Sequence, residues 1–84
     1  MIQTVVSVFD TAAGLFGRPI FVPSRGQAIR SFHDEINRAD SEIAKHPEDY
    51  ILYQLCSFDD NAGRFSDEGP QVLIRGKDAV VSRS

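Results

Sequence analysis

Tryptophan is absent from these 84 residues, and cysteine and methionine each occur once. A single cysteine excludes an internal disulfide, and no Cys/His pairs stand at zinc-site spacing. A domain this short, with neither staple, has a thin margin of stability and leans on compact packing or a partner chain. A homo-oligomer is therefore expected. Long apolar runs are also missing, so no segment is expected to span a bilayer. Met1 to Val6 show no basic region and no cleavage site, so a secretory signal is not read there. With one free thiol, a reducing intracellular setting is the expectation. A basic excess is lacking as well. The net charge is −3, divided as +1 over residues 1–38 and −4 over residues 39–84. Proteins that hold nucleic acid mainly by neutralising phosphates are usually basic, so any such contact here needs a local patch.

What remains is a foldable composition, 42% hydrophobic and 25% charged. One domain is expected, with no linker and no internal repeat. Ile2 to Phe9 is rich in β-branched residues and reads as a strand. Asp10 to Arg18 reads as a loop punctuated by two glycines. Pro19 to Pro23 reads as a short edge strand, because proline cannot donate to a ladder. Ser24 has Gln27 three residues on, a capping-box pattern that opens a helix. Ala28, Ile29, Phe32, Ile36 and Ala39 then form one apolar stripe at helical spacing. Arg30, Asp34 and Arg38 are expected to form a ladder of alternating sign along the opposite side. A further helical turn, Ser41 to Lys45, is expected with Asp40 as its cap, and Pro47 ends it.

Tyr50 to Phe58 is the central strand. Simple alternation places Tyr50, Leu52, Gln54, Cys56 and Phe58 on one face and Ile51, Tyr53, Leu55 and Ser57 on the other. Both sets are largely apolar, so the strand is either packed on two sides or meets another subunit. Asp59 to Gly63 is a turn, Arg64 to Ser66 a short strand, Gln71 to Arg75 another, Gly76 to Asp78 a turn, and Ala79 to Val81 a weak strand or tail. The sum is an α+β fold in the order β-β-α-β-β-β, a small antiparallel sheet packed by one long helix, with a strand order this pattern does not give.

No catalytic constellation stands out, and an enzyme is not expected. The pairs Asp34-Glu35, Glu48-Asp49, Asp59-Asp60 and Asp67-Glu68 suit solvated turns and helix surface better than acid–base work, since adjacent side chains point apart. Asp59 to Gly63 lacks the fifth and twelfth ligands of an EF-hand, and no metal or cofactor is expected. His46 suits a helix C-terminus, and His33 lies at the edge of the stripe. Cys56 has no base near it in sequence and reads as a small buried hydrophobe. Gly14-x-x-Gly17-Arg18 lacks the lysine and hydroxyl of a P-loop. For nucleic acid, the candidate cations are Arg18, Arg25, Arg30, Arg64, Arg75, Lys77 and Arg83. Phe16, Tyr53 and Phe65 are candidate stacking platforms, since bases stack on aromatic rings without sequence readout.

Three runs carry a family likeness: Gly26-Gln27-Ala28-Ile29-Arg30-Ser31-Phe32, His46-Pro47-Glu48-Asp49-Tyr50-Ile51-Leu52-Tyr53, and Phe58-Asp59-Asp60-Asn61-Ala62-Gly63-Arg64-Phe65. In order and spacing they resemble the small nonstructural protein of gokushoviruses, single-stranded DNA phages of the Microviridae. The likeness runs from Val8 to Arg75. Cys56-Ser57 departs from it, standing where a small residue and then an apolar one are expected. The resemblance implies a nonenzymatic protein of the bacterial cytoplasm that binds single-stranded DNA as replication turns to progeny strands and packaging. It supplies no catalytic residues, and Arg30 is the one cation of the candidate set inside its helix motif. The acidic balance keeps an alternative open, a factor that binds viral replication or assembly proteins without touching DNA.

Overall fold

The computed structural model describes residues 1–81. Its strands are β1 (Ile2–Asp10), β2 (Leu15–Phe16), β3 (Ile20–Val22), β4 (Tyr50–Asp59), β5 (Arg64–Phe65) and β6 (Gln71–Arg75). Its helices are α1 (Arg25–Ile36), α2 (Glu42–Lys45) and α3 (Gly76–Ala79), with a 3-10 turn at Pro47–Asp49. All six strands form one antiparallel sheet. The two long strands β1 and β4 pair at its centre. Both β2 and β3 line the outer edge of β1, and both β5 and β6 line the outer edge of β4. The α+β reading therefore holds, with β3 on an edge, as its flanking prolines require. None of the described helices is long and apolar enough to cross a membrane.

The helix stripe works as its spacing predicts. Ser24 Oγ accepts from the Gln27 amide at 3.2 Å and caps α1. Ala28, Phe32 and Ile36 are buried and meet Val6, Leu52 and Ala79 in the main core, with Ile29 packed at its margin. Ala39 lies past the helix end and is exposed. The charge ladder is not formed. No ion pair joins Arg30 to Asp34, and Arg38 instead reaches Glu35 at 2.7 Å and Asp40 at 3.8 Å. The shorter i,i+3 reach and the end of α1 at Ile36 explain the change of partner. Ser41, not Asp40, stands at the N-cap of α2, and its buried hydroxyl donates to Glu35 at 2.6 Å. Those contacts hold the Glu35 carboxyl below its usual range, Ser41 contributing most and Arg38 next.

Gly76 to Ala79 is a short helix rather than a turn and tail. Ala79 is buried in the core, and Gly76 lies so close to the backbone oxygens of Pro47 and Tyr50 that a Cβ has no room. Asn37 locks this helix to α1. Its Nδ2 donates to the carbonyls of His33 (2.8 Å) and Ala79 (2.9 Å), and its Oδ1 accepts from the Val81 amide (2.9 Å). Arg83 lies outside the described residues.

Two findings change the sequence picture of the sheet. The first is a bulge. Val5 pairs with Cys56 and Val6 with Gln54, so Leu55 has no partner and the alternation of β4 reverses there. Tyr50, Leu52 and Gln54 face the helix, but Cys56 and Phe58 join Ile51 and Tyr53 on the other side. Simple alternation had divided them differently, because a bulge leaves no mark in an apolar run.

The second is an internal repeat, where none had been read. Phe9-Asp10-x-x-Ala13-Gly14-x-Phe16 and Phe58-Asp59-x-x-Ala62-Gly63-x-Phe65 share one pattern. Each aspartate Oδ1 accepts from the amides two and three residues on, at 3.0 and 3.3 Å for Asp10 and 3.0 and 3.4 Å for Asp59. Each glycine takes a positive φ, +70° and +67°, and its amide donates to the aspartate carbonyl at 2.8 Å. In each hairpin the two phenylalanines pair across the strands. The residue after each aspartate donates its amide to the chain just before the other long strand, Thr11 to Asp49 and Asp60 to Met1. Each half continues through a further edge strand to an Arg-Gly pair at a helix start, Arg25-Gly26 and Arg75-Gly76. Because β1 and β4 run antiparallel, a pseudo-twofold axis normal to the sheet relates the halves.

Candidate nucleic-acid interface

Cross-strand partners share a face, so the register assigns each side of the sheet. Val6, Val8, Ile20, Val22, Leu52 and Ile74 lie beneath the helices. Gln54, buried on that side, accepts a hydrogen bond from Arg25 Nε. The opposite side carries Gln3, Val5, Ser7 and Phe9 from β1, and Phe16 and Phe21 from its edge strands. It also carries Ile51, Tyr53, Cys56 and Phe58 from β4, with Phe65, Val72 and Arg75 beyond.

That side holds five of the six phenylalanines and one of the two tyrosines. They form two triads. Phe9, Phe16 and Tyr53 have ring centroids 4.6 to 5.9 Å apart, and Phe21, Phe58 and Phe65 have theirs 4.8 to 6.2 Å apart, all tilted or edge-on. Each triad is built on the phenylalanine pair of one hairpin, at opposite ends of the sheet. Their third rings come from a reversal. Tyr53 on central β4 pairs with Val72 on the edge, while Val5 on central β1 pairs with Phe21 on the edge. Each half thus keeps one aromatic–valine pair.

The rings shield the strands between them. Val5 and Ser7 are buried, and Ser7 Oγ donates to the Gly17 carbonyl at 2.7 Å. The outer rings stay open, with Phe16 43%, Phe21 47% and Phe65 61% exposed. No described helix covers this side. None of the chain's 12 carboxylates occupies a strand position on it. The two strand aspartates, Asp10 and Asp59, pair with Leu15 and Arg64 on the helix-side register.

Of the candidate cations, Arg75 lies on the aromatic side, opposite Ile51, and Arg18 follows Gly17 in the loop that meets Ser7. Arg64 lies on the helix-side register, Arg25 and Arg30 belong to α1, and Lys77 to α3, so the set does not gather on one face. The stacking candidates Phe16, Tyr53 and Phe65 do gather, all on the open side. Sequence reading missed Phe9, Phe21 and Phe58, and the repeated F-D-x-x-A-G-x-F pattern was the signal available for two of them.

Cys56 shares this side. Burial pushes its thiol pKa up, and the neighbouring Glu68 and Asp67 carboxylates add to the shift, so the sulfur is held as the thiol. At the far end of the chain fold, His46, Glu48 and Asp49 bring possible ligand atoms within 4.8 Å of one another in one surface turn. Their closeness follows from the 3-10 turn itself.

A family model described as Phage ORF5 protein matches residues 3–79. No curated protein and no solved structure matches the chain.

Proposed function

The chain belongs to the Phage ORF5 protein family, and from that premise we propose that it is a nonenzymatic accessory protein that binds single-stranded DNA. The proposal places it in the host cytoplasm during genome replication or packaging, as the likeness to the gokushovirus nonstructural protein implies. One observation carries the reading: an uncovered sheet face of aromatic rings without a strand carboxylate. Base–aromatic stacking is worth about 1–3 kcal/mol per base and needs no sequence readout. No carboxylate stands at a strand position on this face, and those beside it, Asp60 near Gln3 and Asp67 and Glu68 near Cys56, come from turns, which leaves the ring surface itself open to a phosphate backbone. In this reading Arg75 and Arg18 meet phosphates at the rim, and several copies along one strand add up these few cation contacts.

The test is a titration of fluorescent single-stranded DNA at about 50 and 200 mM salt. Binding is expected at both, with a shallow salt slope, because few phosphates are neutralised and the slope is about −0.7 per phosphate contact on single strands. Undetectable binding at about 50 mM salt would end the direct-binding reading. The second reading, docking of a viral replication or assembly protein without DNA, draws on the net charge of −3 and on the same exposed rings. Capture of a phage protein that survives nuclease, together with no DNA affinity, would favour it.

A further inference from the structure

From the pseudo-twofold axis of the aromatic face we infer that it holds a single strand in either 5′–3′ direction with comparable affinity. The inference rests on that face being the DNA site. A strand crossing the sheet meets two stations, Phe9–Phe16–Tyr53 and Phe21–Phe58–Phe65. They lie at opposite ends of the β1–β4 pair, at the levels of Phe9 and of Gln3, the partner of Phe58. Six residues of strand separate these levels, roughly 20 Å. Turning the strand end for end about the axis exchanges the two stations and returns nearly the same contacts. The hairpins match in sequence, turn geometry and ring pairing. Stacking itself presents the same ring surface to a base approached from either direction.

The symmetry is broken at the central pairs Gln3/Ile51 and Ser7/Cys56, at the third rings and in the charges. Tyr53 and Phe21 sit on strands of different rank, and among the described residues Arg75 is the one strand cation on the face, since its counterpart Arg25 is turned to Gln54. Arg18 and Asp67 with Glu68, near Cys56, add to this charge difference, but all four groups are exposed, and exposed ionic contacts are weak discriminators. The expected bias between directions is therefore no more than about fivefold.

End-labelled oligonucleotides decide it. In a Cys56→Ser background, Ala12→Cys in the first hairpin turn carries a fluorophore, and a short oligonucleotide carries a quencher at its 5′ or its 3′ end. Both ends are expected to quench to a similar degree, and Ala62→Cys in the second turn is expected to behave alike. Quenching from one end only, reversed between the two labels, would show a fixed direction and overturn the inference while leaving DNA binding intact. Binding without quenching at either turn would place the DNA off this face and overturn the inference. No binding by anisotropy would remove the DNA reading and the inference with it. Independently, Phe16→Ala and Phe65→Ala truncate exposed equivalent rings and leave the core alone. Each is expected to weaken binding about 5- to 150-fold, to similar extents. A loss confined to one of them would also overturn the inference.

Discussion

The helix side of the sheet buries Val6, Leu52 and Phe32 to within a few per cent of full cover, while the opposite side leaves Phe65 mostly in solvent. The same two long strands supply both sides. Under the helices, aliphatic residues interlock with the α1 stripe, and Asn37 and Gly76 let α3 close the end of that core. On the other side, rings pack tilted or edge-on against one another and stop there. Among the described residues one helix, α1, is long enough to cover a face. The chain spends that helix on the aliphatic side and leaves the aromatic side uncovered. In the proposed reading one side serves stability and the other binding, and substitutions test whether the two come apart.

The largest expected effect is on the covered side. Phe32→Ala removes the central ring of the α1 stripe and should cost about 3–5 kcal/mol of unfolding free energy. For so small a domain this is most of the margin, and chemical denaturation reads it. On the open side, Phe65→Ala should change stability by about 1 kcal/mol or less while lowering DNA affinity. If Phe65→Ala destabilises as much as Phe32→Ala, the two sides are not divided as described.

The smallest effect is electrostatic and lies at the margins of both sides. Ser41 and Arg38 lower the Glu35 pKa, and the N-terminal amine (2.8 Å) and Gln3 (3.2 Å) do the same for Asp60. A carboxyl with a depressed folded pKa contributes its stability above the unfolded value, near 4, and loses it as pH falls through the folded value. Stability should therefore be level from neutral pH to about 5 and decline below about 4. Glu35→Gln should flatten that decline slightly, the groups being exposed and well screened. A decline beginning near pH 6 would point to other groups.

Much of the fold was legible because local chemistry and tertiary packing agree. Ser24 with Gln27, the Ala28–Phe32–Ile36 stripe and the prolines around β3 each carry one meaning. Other features were not legible, for definite reasons. The bulge at Leu55 sits in a run where every residue suits either face, so nothing marks the reversal. Gly76 to Ala79 has turn composition and becomes helical only by packing against Pro47 and Tyr50. Asp40 and Ser41 are both good caps, and the buried contact with Glu35 chooses between them. The repeat was written in the sequence, but its halves diverge after the second phenylalanine, and only the matched hairpins make the correspondence plain. The aromatic face follows from these same features, since the bulge brings Phe58 to the side of Tyr53 and the repeat supplies the paired rings.

One measurement bears on the central claim most directly: an NMR titration of the labelled protein with short single-stranded DNA, following aromatic side-chain and arginine signals together. The ring signals of Phe16, Phe21, Tyr53 and Phe65 should shift with a common affinity, with Arg75 moving beside them and Phe32 unmoved. Shifts confined to Arg25 and Arg30 on α1, with the open rings unmoved, would place the DNA on the helix side and contradict the division of the sheet into a stabilising face and a binding face.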